Sequence, residues 1–299
     1  MTEAARIAVL MTCHNRKGLT LACLETLRDQ ALFDPVDLIL VDDGSTDGTG
    51  AAVHAMMPKA QVIVGNGNLF WNGGMRLAWQ RAVQSGRSHD FYLWLNDDVA
   101  LEPGVLAAMV ADADSTVTRG GAVIVAAATR DADTGEMTYS GQSRTTPGRP
   151  LRLRLDEPSG TPQRVDTVSG NIVLVSAGAE RILGNLDPAY RHIYGDLDYG
   201  FRAGAAGIPV LVASTYGGTC GANSITGSSL DRGMTKLQRL RRRWKEARGL
   251  HARDWRTLVH RHGGGALAVL GHRLAPYVKI VLDRGTAAAA LTPSRSTTK

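Results

Sequence analysis

The chain opens with an unbroken apolar run, RIAVLMT at residues 6–12, whose length and continuity predict a strand buried on both faces. A turn follows at residues 15–18, after which Leu19, Leu24, Leu27 and Ala31 recur at helical spacing. A second run, VDLILV, stops at Asp42, Asp43, Gly44 and Ser45, and Ser45 or Thr46 can cap a helix reaching Met57. QVIV at 61–64 predicts a third strand, residues 72–85 a helix, and FYLWL at 91–95 a fourth strand. Residues 103–112 predict a helix with Pro103 near its first turn. Strand and helix thus alternate three times, at about 20 to 30 residues per unit, which calls for right-handed crossovers and a doubly wound, mostly parallel α/β sheet.

Beyond Gly120 the pattern changes. AVIVAAA at 122–128 predicts a strand, and residues 129–165, rich in Thr, Gly, Pro and Arg, predict a hairpin with a mobile loop. VDTVSGNIVLVS at 165–176 reads as a strand pair or one bent strand. A short helix over 176–183, a loop over 187–198, a helix over 199–206 and a last strand at 208–214 follow. The Gly- and Ser-rich segment 215–235 predicts a flexible loop. The expected organisation is a catalytic domain over 1–214, with halves 1–120 and 121–214, then that loop and a basic helical extension over 236–299. There are no internal repeats.

With 299 residues, 43 % of them hydrophobic and 21 % charged, the chain has an ordinary globular composition, which excludes disorder and collagen-like repeats. Three cysteines without a CxxC pair exclude a disulfide framework and a cysteine zinc site, and favour a reducing compartment. The net charge of +6 is a local matter: residues 236–262 hold ten Lys or Arg against two acids, so the remainder is close to neutral. That body carries no nucleic-acid recognition motif, and only Trp244 and Trp255 interleave the cations of the extension, so nucleic acid is not an expected partner. No apolar run reaches the roughly 20 residues of a spanning helix; the nearest, 264–282, is broken by Gly271, His272, Arg273 and Lys279. IAVLMTC is too short for a signal-peptide core. A cytoplasmic protein, peripheral to the inner face of the membrane, is expected. Trp244 and Trp255, with Leu237, Leu240 and Leu258, would then lie in an anionic headgroup layer. Packing of the extension on its own domain or on a dimer mate is the plainer alternative. The sequence carries no signal for oligomeric state.

In doubly wound sheets ligands bind at the carboxyl ends of the strands, near a topological switch point. The polar clusters Thr12–Arg16, Asp42–Asp47, Gly65–Asn72 and Asn96–Asp98 all fall at such ends. Adjacent carboxylates at Asp97 and Asp98 repel one another unless a cation or donors offset the cost. Hard oxygen ligands of this kind suit Mg²⁺ or Mn²⁺ bridging substrate phosphates, the alternative being a helix N-terminal turn. Asp42 and Asp43 can meet the imide N–H of uracil or thymine and a ribose, or make an Asx turn and a helix cap. GNGNLFWNGG at 65–74 allows close backbone approach and offers Asn66, Asn68 and Asn72, but is no dinucleotide fingerprint. Asp196, ahead of the predicted helix, is free to face a cleft as a general base, while Asp198 and Arg202 stand four apart and can pair. His251, His260 and His262 have no metal-ligand spacing and are expected to be solvated.

Taken in order, VLMTCHNR, DLILVDDGSTDGT, the Asn/Gly-rich loop, LNDDV and GDLDYGFRAGAAG resemble the family 2 glycosyltransferases over about residues 6–214. NLFWNGGM and LNDDV look most like the bacterial polysaccharide and rhamnosyltransferase branch. The resemblance implies a GT-A fold and transfer of a sugar from a nucleotide-diphospho-sugar, UDP- or dTDP-linked, to a hydroxyl of a glycan or lipid-linked acceptor. It implies donor contacts from Thr12, Asn15, Arg16, Asp42 or Asp43, Asn68, Trp71, Asn72, Gly74 and Asp97, with Mg²⁺ or Mn²⁺ on Asp98. Asp196 would be the base of an inverting displacement, and Asp198 and Arg202 would support the acceptor-side loop. The pattern departs from the family at Asn96, in place of an acid, and at TYGGTCGANS, in place of the downstream His. Two competing functions are a catalytically degenerate nucleotide-sugar-binding protein and a sugar-1-phosphate nucleotidyltransferase. The second would want a Gly-rich loop with Arg directly after the first strand, and TCHNRKG supplies none.

Overall fold

The structure, a computed structural model, describes residues 5–30, 37–222 and 225–283. The first half alternates as the periodicity predicts: β1 (Ile7–Cys13), α1 (Lys17–Arg28), β2 (Leu38–Asp42), α2 (Thr49–Met56), β3 (Gln61–Val64), α3 (Phe70–Gln84) and β4 (Phe91–Leu95). A two-residue strand, β5 (Ala100–Leu101), then leads into α4 (Val105–Thr116). Ala31 lies outside the described residues. The cap of α2 differs from expectation. Neither Ser45 nor Thr46 starts it; the helix begins at Thr49 behind Gly48 at φ 79°, and the Asp47 carboxylate accepts the Thr49 N–H and hydroxyl. Ser45 is instead drawn across to β1, where its hydroxyl accepts the Asn15 N–H.

The second half contains β6 (Ile124–Arg130), β7 (Met137–Tyr139), β8 (Gly141–Arg144), β9 (Leu153–Leu155), β10 (Gln163–Arg164), β11 (Thr167–Val168) and β12 (Ile172–Ser176). After these come α5 (Ala177–Leu183), α6 (Gly195–Ala205), β13 (Val210–Thr219), α7 (Lys236–Glu246), α8 (Leu250–His262) and α9 (Ala266–Leu282). The run 165–176 proves to be two strands in different sheets, with β11 on β8 and β12 between β4 and β6. Residues 215–219, expected in a flexible loop, continue β13, which pairs with β6 and β5. Their glycines serve packing: a Cβ on Gly217 would stand 2.5 Å from the Ala127 Cβ and 2.8 Å from Ile172. Helix α6 starts four residues before the expected Tyr199, so Asp196 sits inside its first turn.

The main sheet runs β10-β13-β6-β12-β4-β1-β2-β3, with β5 on β13 and β7 on β6; β11, β8 and β9 form a smaller sheet. Strands β4, β1, β2 and β3 are parallel, so their carboxyl ends share one edge. The order reverses at β1, which sends β2 to one side and β4 to the other. Period-two alternation in β1 feeds two cores. Ile7, Val9 and Met11 pack with Leu24 and Leu27 of α1 and Met109 of α4, while Ala8 and Leu10 pack with Met75 and Trp79 of α3 and Tyr199 of α6. On that second face Trp79, Trp94, Tyr92 and Tyr199 form an aromatic cluster with ring centroids 5.2–5.5 Å apart.

Candidate active site

At the switch point the end of β1 meets the end of β4. Arg16, one turn beyond β1, reaches Asp97 at 3.2 Å and Asp98 at 2.6 Å, so one guanidinium offsets the repulsion between the two carboxylates. Burial pushes the Asp97 carboxyl up to about 6, with Arg16 pulling the other way and Asp98 adding to the rise. Its Oδ2 is buried without a hydrogen-bond partner among the described residues. Asp98 also accepts from the Cys220 thiol at 3.6 Å, which burial and that carboxylate keep protonated, with a value pushed up to about 12. Cys220 thus stands in TYGGTCGANS beside Asp98, a placement that nothing in the spacing announced.

The loops at the ends of β1, β2 and β3 are stitched by their own side chains. Asn15, at φ 52°, accepts the Thr46 N–H with its Oδ1. The two carboxylates ending β2 are both engaged: Asp42 accepts the Ser45 and Gly50 N–H groups, and Asp43 accepts those of Gly67, Leu69 and Phe70. Asp43 therefore shapes the Asn/Gly-rich loop and the start of α3, where Phe70 adopts φ 56°. Thr12 and Gly74 touch: a side chain at Gly74 would collide with the Thr12 hydroxyl, so the glycine lets α3 close on β1. Asn68 lies exposed at the loop rim against Asn66. Asn72 is fully buried and donates to the Asp187 and Tyr190 carbonyls, which ties α3 to the loop before α6.

Trp71 joins the two sides. Its Nε1 donates to Asn96 Oδ1 at 2.7 Å, beside the acidic pair, and its ring lies against Gly170, where a Cβ would stand 2.6 Å from it and 3.2 Å from the Asp196 Cβ. Asp196 accepts the N–H groups of Gly170 and Leu197, one on each oxygen. Burial raises its value, and these backbone bonds partly oppose the rise. Two residues on, Asp198 is fully buried and accepts from Arg202, Tyr190 and His262. Burial works against its charge, but bonds from His262 and Arg202 outweigh it and hold Asp198 at about 2.

The extension supplies part of this machinery, and the expectation of solvated histidines fails for His262. Helix α8 packs on α6 because Leu258 is buried with Tyr190 and Phe201, and because Asp254 accepts the N–H groups of Arg191, His192 and Ile193. Trp255 lies against Tyr194, so neither Trp255 nor Leu258 is free for a headgroup layer. No local spacing foretells Asp254 and His262, whose partners stand about sixty positions away.

A divalent cation fits the donor set in one way. Two carboxylates, one with an unpartnered buried oxygen, suit Mg²⁺ or Mn²⁺ completed by phosphates and water. Among the described residues no group of three or more His, Cys, Asp or Glu makes an all-protein cage.

The family profile described as "Glycosyl transferase family 2" matches residues 8–173. The chain belongs to this family. Among similar proteins is the N-acetylglucosaminyl-diphospho-decaprenol L-rhamnosyltransferase of Mycobacterium tuberculosis, found in two strains, which is 30 % identical over 200 residues. The match covers 58 % of this chain and 62 % of that relative, so the chain spans under two thirds of its length. Two solved structures share the GT-A fold. GalNAc-T7 with UDP, GalNAc and Mn²⁺ has a TM-score of 0.56 at 13 % identity, over 95 % of this chain and 57 % of that one. The mannosyltransferase PcManGT from Pyrobaculum calidifontis, with GDP-Man and Mn²⁺, has a TM-score of 0.50 at 13 % identity, over 95 % and 89 %. The expected GT-A architecture with a helical C-terminal part is the one found.

Proposed function

We propose that this family 2 member is an inverting glycosyltransferase that moves a sugar from a UDP- or dTDP-sugar to a hydroxyl of a lipid-linked glycan, working as a peripheral protein at the inner membrane face. Rhamnose is the first sugar to try, because the relative from Mycobacterium tuberculosis is a rhamnosyltransferase acting on a lipid-diphosphate-linked sugar by its name. The observation that carries the reading is the run Asp97/Asp98–Asn96–Trp71–Gly170–Asp196, which sets an acidic pair and a half-buried single carboxylate on either side of one indole.

In this reading Asp196 keeps a lone pair free on each oxygen beyond its backbone bonds and takes the proton of the acceptor hydroxyl. The acceptor oxygen bonds to the anomeric carbon as the bond to the diphosphate breaks, which inverts that carbon. Its raised affinity for protons makes Asp196 a stronger base than a solvated aspartate. Mg²⁺ or Mn²⁺ held by Asp98, with Asp97, would neutralise the charge on the departing nucleoside diphosphate. Arg16 must then leave at least one of its two carboxylates when the donor arrives. Asp198, with Arg202 and His262, fixes the first turn of α6 that carries Asp196.

The first test is a thermal-shift screen of UDP, dTDP, GDP and CDP, each with and without Mn²⁺, followed by transfer assays with sugars of the base that binds. Ligand at about 100 times its Kd stabilises by roughly 2.7 kcal/mol. A Mn²⁺-dependent shift with a pyrimidine diphosphate, followed by product, is the expected result. No shift with any nucleotide would overturn the reading, and binding without transfer would leave a degenerate binding protein.

A further inference from the structure

Helix α9 carries large apolar side chains at Leu267, Leu270, Leu274, Val278 and Val281, all between 51 and 86 % exposed. Their spacing of three and four residues puts them on a single stripe along the helix. The opposite face is occupied, with Ile280 buried and His272 edge-on to Trp255. At 100° per residue Arg273 falls about 60° beyond one edge of the stripe, where a long side chain can carry its charge outward past apolar neighbours, while exposed Lys279 falls on the side of His272. On α7, exposed Leu237 and Trp244 add apolar surface, and exposed Arg241 and Lys245 add charge, while Arg242 pairs with Glu246.

We propose that the outer stripe of α9 seats this protein on an anionic bilayer, lying in the plane of the headgroups. Charge complementarity selects the occupant. Residues 236–283 hold twelve Lys or Arg against three acids. All three acids are engaged within the protein: Glu246 with Ser229, Asp254 with the backbone at 191–193, and Asp283 with Arg239. Several of the cations are engaged too, Arg239 with Asp283, Arg242 with Glu246 and Arg261 with Asp187, but the excess remains positive. With Arg273 beside the hydrocarbon strip and Arg241 and Lys245 on the neighbouring α7, it matches anionic lipid and repels a second copy of itself. The helix lies on the surface and does not cross: among the described residues no helix is long and apolar enough to span. From the opposite face of α9, contact passes inward from His272 to Trp255 and on to Tyr194, two residues before Asp196.

The proposal rests on the peripheral placement proposed above but not on the nucleotide chemistry, and the test separates the two. Full-length protein is floated with vesicles of phosphatidylcholine containing phosphatidylglycerol and with phosphatidylcholine alone, beside the variant L270S/L274S/V278S. A V83S control alters an exposed valine on α3. Wild type and V83S should float with the anionic vesicles only, and the triple variant should lose about tenfold or more of its partitioning with unchanged thermal stability and nucleotide-induced shift. Failure of wild type to float, or flotation untouched by the triple substitution, would overturn the proposal. So would vesicle-free self-association that the triple variant abolishes, because it would give the stripe to a second copy. None of these results bears on whether UDP or dTDP binds.

Discussion

Asp196 and Asp198 stand two positions apart on α6, yet burial drives the first toward its protonated form while His262 and Arg202 hold the second ionised at about 2. Their substitutions should differ accordingly. Asp196→Asn is expected to lower turnover by on the order of 10² to 10⁴ with donor binding retained; near-normal turnover of a folded variant removes the base assignment. Because Asp198 has a folded value below its unfolded one, its carboxylate contributes stability of about 2 kcal/mol that is complete above pH 4 and lost as pH falls toward 2. The stability gap between wild type and His262→Ala should therefore narrow across that window, and a gap constant with pH would contradict the pairing. Arg16→Ala should leave Asp97 and Asp98 without their internal cation and tighten Mn²⁺ binding in the absence of nucleotide, read by calorimetry. What was legible at this scale was the chemistry at strand ends, since two adjacent acids after FYLWL need an offset wherever they lie. Which group provides it was not legible, because Arg16 is 82 positions away from Asp98.

At the scale of elements, apolar runs and turn residues predicted β1 to β4 and their helices closely, because each is defined by its own periodicity. The errors fell where tertiary contacts decide. Helix α6 begins at Gly195 because the loop before it is pinned by Asp254, which lies on another helix. Glycines 217 and 218 looked like loop formers, but they continue a strand that packs too closely for side chains. Two variants examine these joints. Asp254→Ala leaves three backbone N–H groups without their acceptor and is expected to cost about 2 to 4 kcal/mol, with activity falling as the 191–194 loop loosens. Gly170→Ala drives a methyl into the Trp71 ring and should reduce kcat/KM far more than it lowers Tm, which kinetics beside a melting curve will separate.

For the molecule as a whole, the polar clusters expected at strand ends do share one edge of the sheet, and the positive charge is confined to the helical extension. Composition could not say which of its helices faces outward: α8 turns Trp255 and Leu258 into the protein and leaves the outer stripe to α9. The halves expected over 1–120 and 121–214 are also less separate than their order along the chain suggests. Strand β12 belongs to the second half, yet it inserts directly beside β4 of the first, in register from Ile172–Leu95 to Ser176–Phe91. Anyone recombining this chain with a relative would be cutting through a row of backbone hydrogen bonds if the crossover were placed near residue 120. The extension is no cleaner a module for grafting, because its Asp254 and His262 hold a loop and an aspartate that belong to the body of the protein.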